Sequence, residues 1–303
     1  MIRPLRLLAL FLLSALWAPA TSAHEIAVVL SQQGGAYQAF TEALRTLGER
    51  GGHRIVHAGT PGEGLDQQLI NRAALVVAAG SPALEAVLQG SRRPTVAVMI
   101  ARNQFETIRQ RNPEATVSAI VLDQPAERQL ALVRTVLPDA TRVGVLFGPA
   151  TATLESALEG AAANTGVRLV GQRLTTANDL PQALERVLRS ADVLIALPDP
   201  LVSSPTAARA ILLGSYRYQR PVFAYSQAYV DAGALAAVFS TPADIAAELV
   251  AWLDGSTTPL RLPAVRAPRS FDIAINRQVA RALNLDIGDE TALLDALRAG
   301  ERQ

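Results

Sequence analysis

The sequence predicts an α/β protein of two lobes, each a parallel sheet flanked by helices. Three observations lead there. Short apolar runs alternate with amphipathic stretches of about ten to fifteen residues, the rhythm of strand–helix units around parallel sheets. That rhythm runs once before Leu122 and again after Ala140. The 303 residues suffice for two domains of ordinary size.

Taken in order, the chain opens with Arg3 and Arg6, then an apolar run from Leu7 to Leu16. About ten apolar residues suit a signal peptide and fall short of the roughly 20 needed to span a bilayer. Pro19-Ala20-Thr21-Ser22-Ala23 offers small residues for a signal peptidase, so residues 1–23 are expected to be removed after Ala23 and the product to be periplasmic. Ile26–Leu30 then reads as a strand and Ala36–Glu49 as a helix. Arg54–His57, Ala74–Ala78, Thr95–Val98 and Val117–Val121 read as further strands, with a helix starting near Pro82. Asp123-Gln124-Pro125 carries helix-start signals, a capping side chain and a proline in the first turn. Leu130, Val133 and Leu137 give the following helix one apolar face.

The second series repeats the first. Val143–Phe147, Val167–Gly171, Val193–Leu197, Pro221–Ala224 and Leu235–Val238 read as strands; Thr151–Asn164, Asp179–Leu188 and Thr206–Tyr218 read as helices between them. Thr241–Leu253 is a further helix, residues 259–268 a Pro-rich extended connection, Phe271–Ile275 a last strand, and two small helices end the chain. Loops at the carboxyl ends of the strands are expected to face one another across a crevice, where open α/β sheets bind ligands.

Composition removes much enzymology. All 28 basic residues are arginine, which excludes a Schiff-base or Walker lysine. No cysteine is present, so thiol chemistry and disulfides are excluded and a structural zinc site is disfavoured. A near-neutral chain without a basic cluster argues against nucleic acid as a partner. His53 and His57, four apart on an expected strand, would lie about 13 Å apart, too far for one metal ion. His24, the expected new N-terminus, holds an amine and a ring but needs another ligand. No metal site and no cofactor are expected.

The segments "ADVLIALPDPLV" (191–202) and "RPVFAYSQAYVDAGALAAVFS" (220–240) resemble the ABC-transporter substrate-binding family typified by tryptophan- and tyrosine-transport binding proteins. "LPDATRVGVLFGPA" (137–150), "FDIAINRQVARALNLDI" (271–287) and "VVAAGSPALEAVL" (76–88) are similar to further segments of it. The resemblance implies a type I periplasmic-binding-protein fold: two Rossmann-like lobes with parallel sheets joined by a hinge of three crossovers, clamping one ligand. The lobes are expected to comprise 24–120 with about 240–265, and 121–239 with about 266–303. By position, Asp199 falls where the family's Asp loop meets the ligand's amino group, Ser226 in the loop after the Pro-Val-Phe strand, and Gly80 and Ser81 in an N-lobe loop. Gly148 stands where the family usually has Asn, and Arg102-Asn103 where it often has Asp-Pro; these departures point away from an aromatic amino acid as ligand.

The residues themselves leave each candidate two readings. Asp199, between Pro198 and Pro200, is a ligand carboxylate or a turn former. Gly148 and Thr151 start a helix whose free N–H groups suit an anion, or Thr151 caps it. Ser81 lacks the second glycine of a nucleophile elbow and reads as a cap with Pro82 in the first turn. Arg102, Asn103 and Gln104 line the cleft or form a solvated loop. Tyr225 and Tyr229 stack on a ligand or pack beneath the hinge, and Gln32 offers an amide to the cleft or sits in an ordinary turn. The expected function is capture of a small polar, amino-acid-like solute by a monomer that presents it to an ABC permease or another inner-membrane partner. A sensor or accessory subunit with the same fold is the alternative. An enzyme ranks below both, because no histidine falls in a cleft loop.

Overall fold

A computed structural model describes residues 24–257 and 259–301; the signal-peptide reading of residues 1–23 lies outside them. The first sheet has the order β2-β1-β5-β6-β7, all parallel. Its strands are β1 (Glu25–Leu30), β2 (Arg54–His57), β5 (Leu75–Ala79), β6 (Thr95–Val98) and β7 (Val117–Ala119). A two-stranded antiparallel ribbon, β3 (Gly59–Thr60) with β4 (Gly64–Leu65), sits beside it. Helices α1 (Gly35–Arg50), α2 (Gln67–Arg72), α3 (Ser81–Gly90) and α4 (Arg102–Arg111) connect the strands.

Strand alternation decides which helix covers which face. Ile26, Val28 and Leu30 of β1 join Phe40 and Leu44 of α1 in one buried cluster. Ala27 and Val29 point the other way, to Ile70 of α2, Leu84 and Val87 of α3, and Phe105 and Ile108 of α4. Both faces are apolar, as a buried parallel sheet requires.

The second sheet has the order β13-β12-β11-β10-β8-β9. It comprises β8 (Arg142–Phe147), β9 (Arg168–Arg173), β10 (Val193–Ile195), β11 (Val222–Ala224), β12 (Ala236–Phe239) and β13 (Asp272–Ile275). The last strand departs from the parallel expectation: β13 runs antiparallel to β12. One face carries α5 (Ala126–Val136), α6 (Glu155–Thr165), α12 (Arg277–Ala282) and α13 (Glu290–Gly300). The other carries α7 (Leu180–Ser190) and α9 (Pro205–Tyr218). Two short helices, α8 (Pro200–Ser203) and α10 (Gln227–Asp231), follow β10 and β11.

Helix α11 (Pro242–Asp254) follows β12 in sequence but packs on the first sheet, placing Ile245, Leu249 and Leu253 with Phe40 and Leu44. The chain therefore crosses between sheets three times, near residues 120–124, 240–241 and 255–270. The first and third crossings run side by side. Val121 donates its N–H to the Arg266 carbonyl at 2.9 Å, and Arg266 donates its own to Ala119 at 3.1 Å.

A buried arginine ties the crossings together. Arg128, 5 % exposed, donates to the Gln124 side chain at 2.6 Å and the Pro268 carbonyl at 3.0 Å. It also pairs with Glu301 at 2.9 Å and lies over the Phe271 ring. Gln124 donates to the Ser240 hydroxyl at 3.1 Å, which donates to the Ser270 carbonyl at 2.6 Å. Residues of all three crossings thus share one hydrogen-bonded chain.

Candidate functional site

A cavity of about 280 Å³ opens at this hinge. Its walls come from the carboxyl ends of strands in both sheets and from the crossings. Met99 and Ala101 follow β6, Leu122, Asp123 and Gln124 form the first crossing, Pro198 follows β10, and Tyr225 and Ser226 follow β11. Ala36, Leu154, Phe239 and Pro242 complete a mostly apolar lining, to which Gln129 and Ser240 add polar groups. The volume lies near the ~300 Å³ lower bound for small-molecule sites, and the mixture of apolar walls with a few convergent polar groups is theirs as well. A second groove, about 210 Å³, lies between α9 and α12. It belongs to one lobe alone, so its occupancy would not be linked to lobe closure.

Asp123 is the carboxylate of the hinge cavity. Sequence signals make it a cap for the helix that follows, but Pro125 holds the N-cap of α5 and no side chain caps it. The Asp123 carboxylate instead accepts the Arg102 N–H at 2.6 Å, capping α4 from twenty-one residues away. Burial pushes its pKa up from the ordinary carboxylate value, against the lowering effect of the Arg102 N–H and of the Arg102 charge. The ionised form is therefore under-compensated, and a cation placed in the cavity would supply what is missing. Met99 is held at φ 53° where β6 ends. A non-glycine residue in that region costs ~1–3 kcal/mol, and such strain clusters at ligand clamps.

Of the expected site residues, Tyr225 and Ser226 line the cavity. Burial raises the Tyr225 pKa, and its ring meets Tyr229 edge-on at 5.7 Å. Tyr225 thus faces the cavity while Tyr229, 5 % exposed, packs beneath it. Ser226 also caps α10, accepting the Tyr229 N–H at 3.3 Å.

Asp199 is 0 % exposed and does not line the cavity. Its carboxylate accepts from the Leu201 N–H at 2.9 Å, the Ala150 N–H at 2.9 Å and the Thr151 hydroxyl at 3.2 Å. It caps α8 and fastens the loop after β8 to the loop after β10. Thr151 is buried with its hydroxyl on Asp199, and it makes no side-chain cap to the turn that follows, contrary to the cap reading. Gly148 has a reason in this packing: a Cβ there would collide with the Asp199 carboxylate.

Gly80 takes φ 92° and packs against the Ser31 and Tyr37 hydroxyls, so only glycine fits. It is the N-cap of α3, and Ser81 is not a cap as expected from its place beside Pro82. The hydroxyl that reaches this helix start belongs to Ser31, which accepts the Ala83 N–H at 3.1 Å. Ser81 donates instead to Gln104 at 3.0 Å. Arg102 to Gln104 open helix α4 and are not a loop. The Arg102 guanidinium has no hydrogen-bond partner among the described residues. Gln32 is exposed in the loop after β1. Among the described residues no three His, Cys, Asp or Glu side chains gather as a metal set, and no helix is long and apolar enough to cross a membrane.

Two α/β lobes, three crossings and a hinge cavity define a type I periplasmic-binding-protein fold, and solved structures share it. The ligand-free, open structure of CD0873, a substrate binding protein with adhesive properties from Clostridium difficile, superposes with a TM-score of 0.67 at 18 % identity, covering 88 % of this chain and 97 % of that one. An ABC domain in complex with L-Trp from Streptococcus pneumonia gives 0.59 at 17 %, covering 90 % and 98 %. A conserved domain protein from Vibrio cholerae gives 0.59 at 21 %, with the same coverage. No protein among curated sequences matches. The chain belongs to the ABC transporter substrate binding protein family, whose model matches residues 64–296.

Proposed function

We propose that the chain is the extracytoplasmic solute-binding subunit of an ABC importer. Its ligand is a small molecule with an apolar body and an amine, such as an amino acid with an apolar side chain. The observation that carries this reading is the half-buried, under-compensated Asp123 carboxylate among the apolar walls of the hinge cavity. An ammonium group there gains a charge-assisted hydrogen bond. The L-Trp bound by the Streptococcus pneumonia protein of the same fold supports the class. The departure at Gly148 no longer speaks against it, because that glycine accommodates Asp199 rather than a ligand.

The lobes are residues 24–120 with about 240–265, and 121–239 with about 266–303. Their closure about the crossings presents the loaded form to a permease, a hinge mechanism. No covalent chemistry is involved. A thermal-shift screen of the protein from His24 onward, against amino acids, amines, sugars and nucleosides, tests this. A ligand at 100 times its dissociation constant adds ~2.7 kcal/mol of stability. The expected hit is an amine with an apolar body, and Asp123→Asn removes the shift while the protein stays folded. Its affinity falls on acidification, since Asp123 takes up a proton above the ordinary carboxylate range. Hits confined to uncharged sugars, indifferent to Asp123→Asn, would refute the ligand class. Silence of folded protein across the panel would favour a sensor or accessory subunit instead.

A further inference from the structure

One peptide unit on the third crossing is held by opposite charges from the two lobes. Glu248 of α11 is 8 % exposed, and its Oε2 accepts the Arg269 N–H at 2.7 Å. Arg128 of α5 donates to the Pro268 carbonyl at 3.0 Å. That carbonyl and the Arg269 N–H belong to the same planar peptide unit. The unit therefore has a carboxylate of the first lobe on its N–H and a guanidinium of the second lobe on its oxygen. Both contacts agree with the direction of the peptide dipole, and hydrogen bonds to charged groups are roughly twice as strong as neutral ones. The second oxygen of Glu248 stands 2.9 Å from the Arg266 Nε without the alignment of a hydrogen bond. Attraction between two charges tolerates a change of angle that a hydrogen bond does not.

The chain on either side of this unit is tied to different lobes. Ahead of it, the Pro263 carbonyl accepts the Ser118 hydroxyl, and Arg266 exchanges main-chain bonds with Ala119 and Val121 at the edge of the first sheet. Beyond it, Phe271 is buried in the core of the second sheet and Asp272 begins β13. We propose that the Pro268–Arg269 peptide is the pivot on which the lobes turn, and that Glu248 is a positioning residue for ligand capture although it does not line the hinge cavity. The Glu248 carboxylate keeps this part of the crossing on the first lobe while Arg128 keeps it on the second. Closure is then a rotation about a fixed point and not a sliding of one lobe on the other, and the two walls of the cavity meet in register. The purpose of the pivot rests on the solute-binding reading. Lobes aligned only about a tenth of the time would bind their ligand about tenfold more weakly.

The test needs no ligand, so its failure is separate from a failure of the solute-binding reading. The chain has no cysteine, and Glu49→Cys on α1 with Glu159→Cys on α6 puts one exposed spin label on each lobe. The distance distribution between the labels in the ligand-free protein is expected to broaden in Glu248→Ala. It is expected to return close to the parent width in Glu248→Gln, whose amide oxygen still accepts the Arg269 N–H. Leu249→Ala removes core packing from the same helix and controls for lost stability; its distribution is expected to stay narrow. Should Glu248→Ala not fold, Glu248→Asp, whose carboxylate falls one methylene short of the peptide, is expected to broaden the distribution as well. An unchanged distribution in Glu248→Ala or Glu248→Asp, or equal broadening in Leu249→Ala, would overturn the pivot. Failure of Glu248→Gln to restore the width would overturn the Arg269 hydrogen bond as its basis.

Discussion

The contact between Gly148 and Asp199 yields a double-mutant test of what Asp199 does. Gly148 has no positive φ, so its backbone admits any residue. The obstacle to a side chain is the Asp199 carboxylate, which three hydrogen bonds lock in place. Gly148→Ala alone therefore overpacks a rigid contact, at ~1–3 kcal/mol. Asp199→Ala removes the α8 cap, worth about 1 kcal/mol. It also leaves the Ala150 N–H and the Thr151 hydroxyl short of an acceptor, at ~1–3 kcal/mol for each group left unsatisfied. A total of at least ~3 kcal/mol is expected. In the double variant the space opened by Asp199→Ala receives the new methyl group, and replacing glycine restrains the unfolded chain by ~0.4–1 kcal/mol.

The double variant is thus expected to be no less stable than Asp199→Ala alone, a coupling of roughly 2 kcal/mol. Independent sites add within ~0.3–0.5 kcal/mol, so urea unfolding of the four proteins resolves it. Additive losses would refute the packing account. Full stability of Asp199→Ala together with lost ligand binding would refute it differently, by returning Asp199 to the role of ligand carboxylate.

Two further perturbations probe the frame around the cavity. Arg128→Met keeps the apolar stem and removes the guanidinium from Gln124, Pro268 and Glu301. Denaturant melts should show a loss of about 3 kcal/mol or more, and limited proteolysis should cut faster within 255–270. Asp192 accepts from the Thr141 and Arg142 backbones and the Arg142 guanidinium, chiefly the last of which holds its pKa down to about 2. A depressed pKa stabilises the fold above the unfolded carboxylate value and loses that contribution as pH falls toward about 2. Wild type should accordingly melt above Asp192→Asn at neutral pH, with the gap closing across that acid range.

The frame of the molecule was legible because its strands are local facts. Ile26–Leu30, Val96–Val98 and Val143–Phe147 are short runs buried on both faces, as a parallel strand covered on two sides requires. The antiparallel direction of β13 was not legible, because it depends on how the third crossing returns the chain, which no pattern within Phe271–Ile275 records. Helix α4 was missed for a similar reason. Its ten residues bury little besides Phe105 and Ile108, and its cap arrives from Asp123 in another segment.

The two aspartates show why the site was harder to read than the fold. Asp199 and Asp123 both precede or flank prolines at strand ends, and local sequence gives either one a capping or a binding role. What separates them is placement in three dimensions. Asp199 lies where Ala150, Thr151 and Leu201 converge, so its charge is neutralised by donors within one lobe, and Gly148 leaves room for it to stay there. Asp123 lies on a crossing, where a helix start from one lobe supplies a donor and the cavity between the lobes occupies the remaining side. A carboxylate satisfied by its own lobe is indifferent to closure. One that is half satisfied, at the hinge, lowers its energy when a cation arrives, and that difference between open and closed states is what a ligand must have to shift the balance.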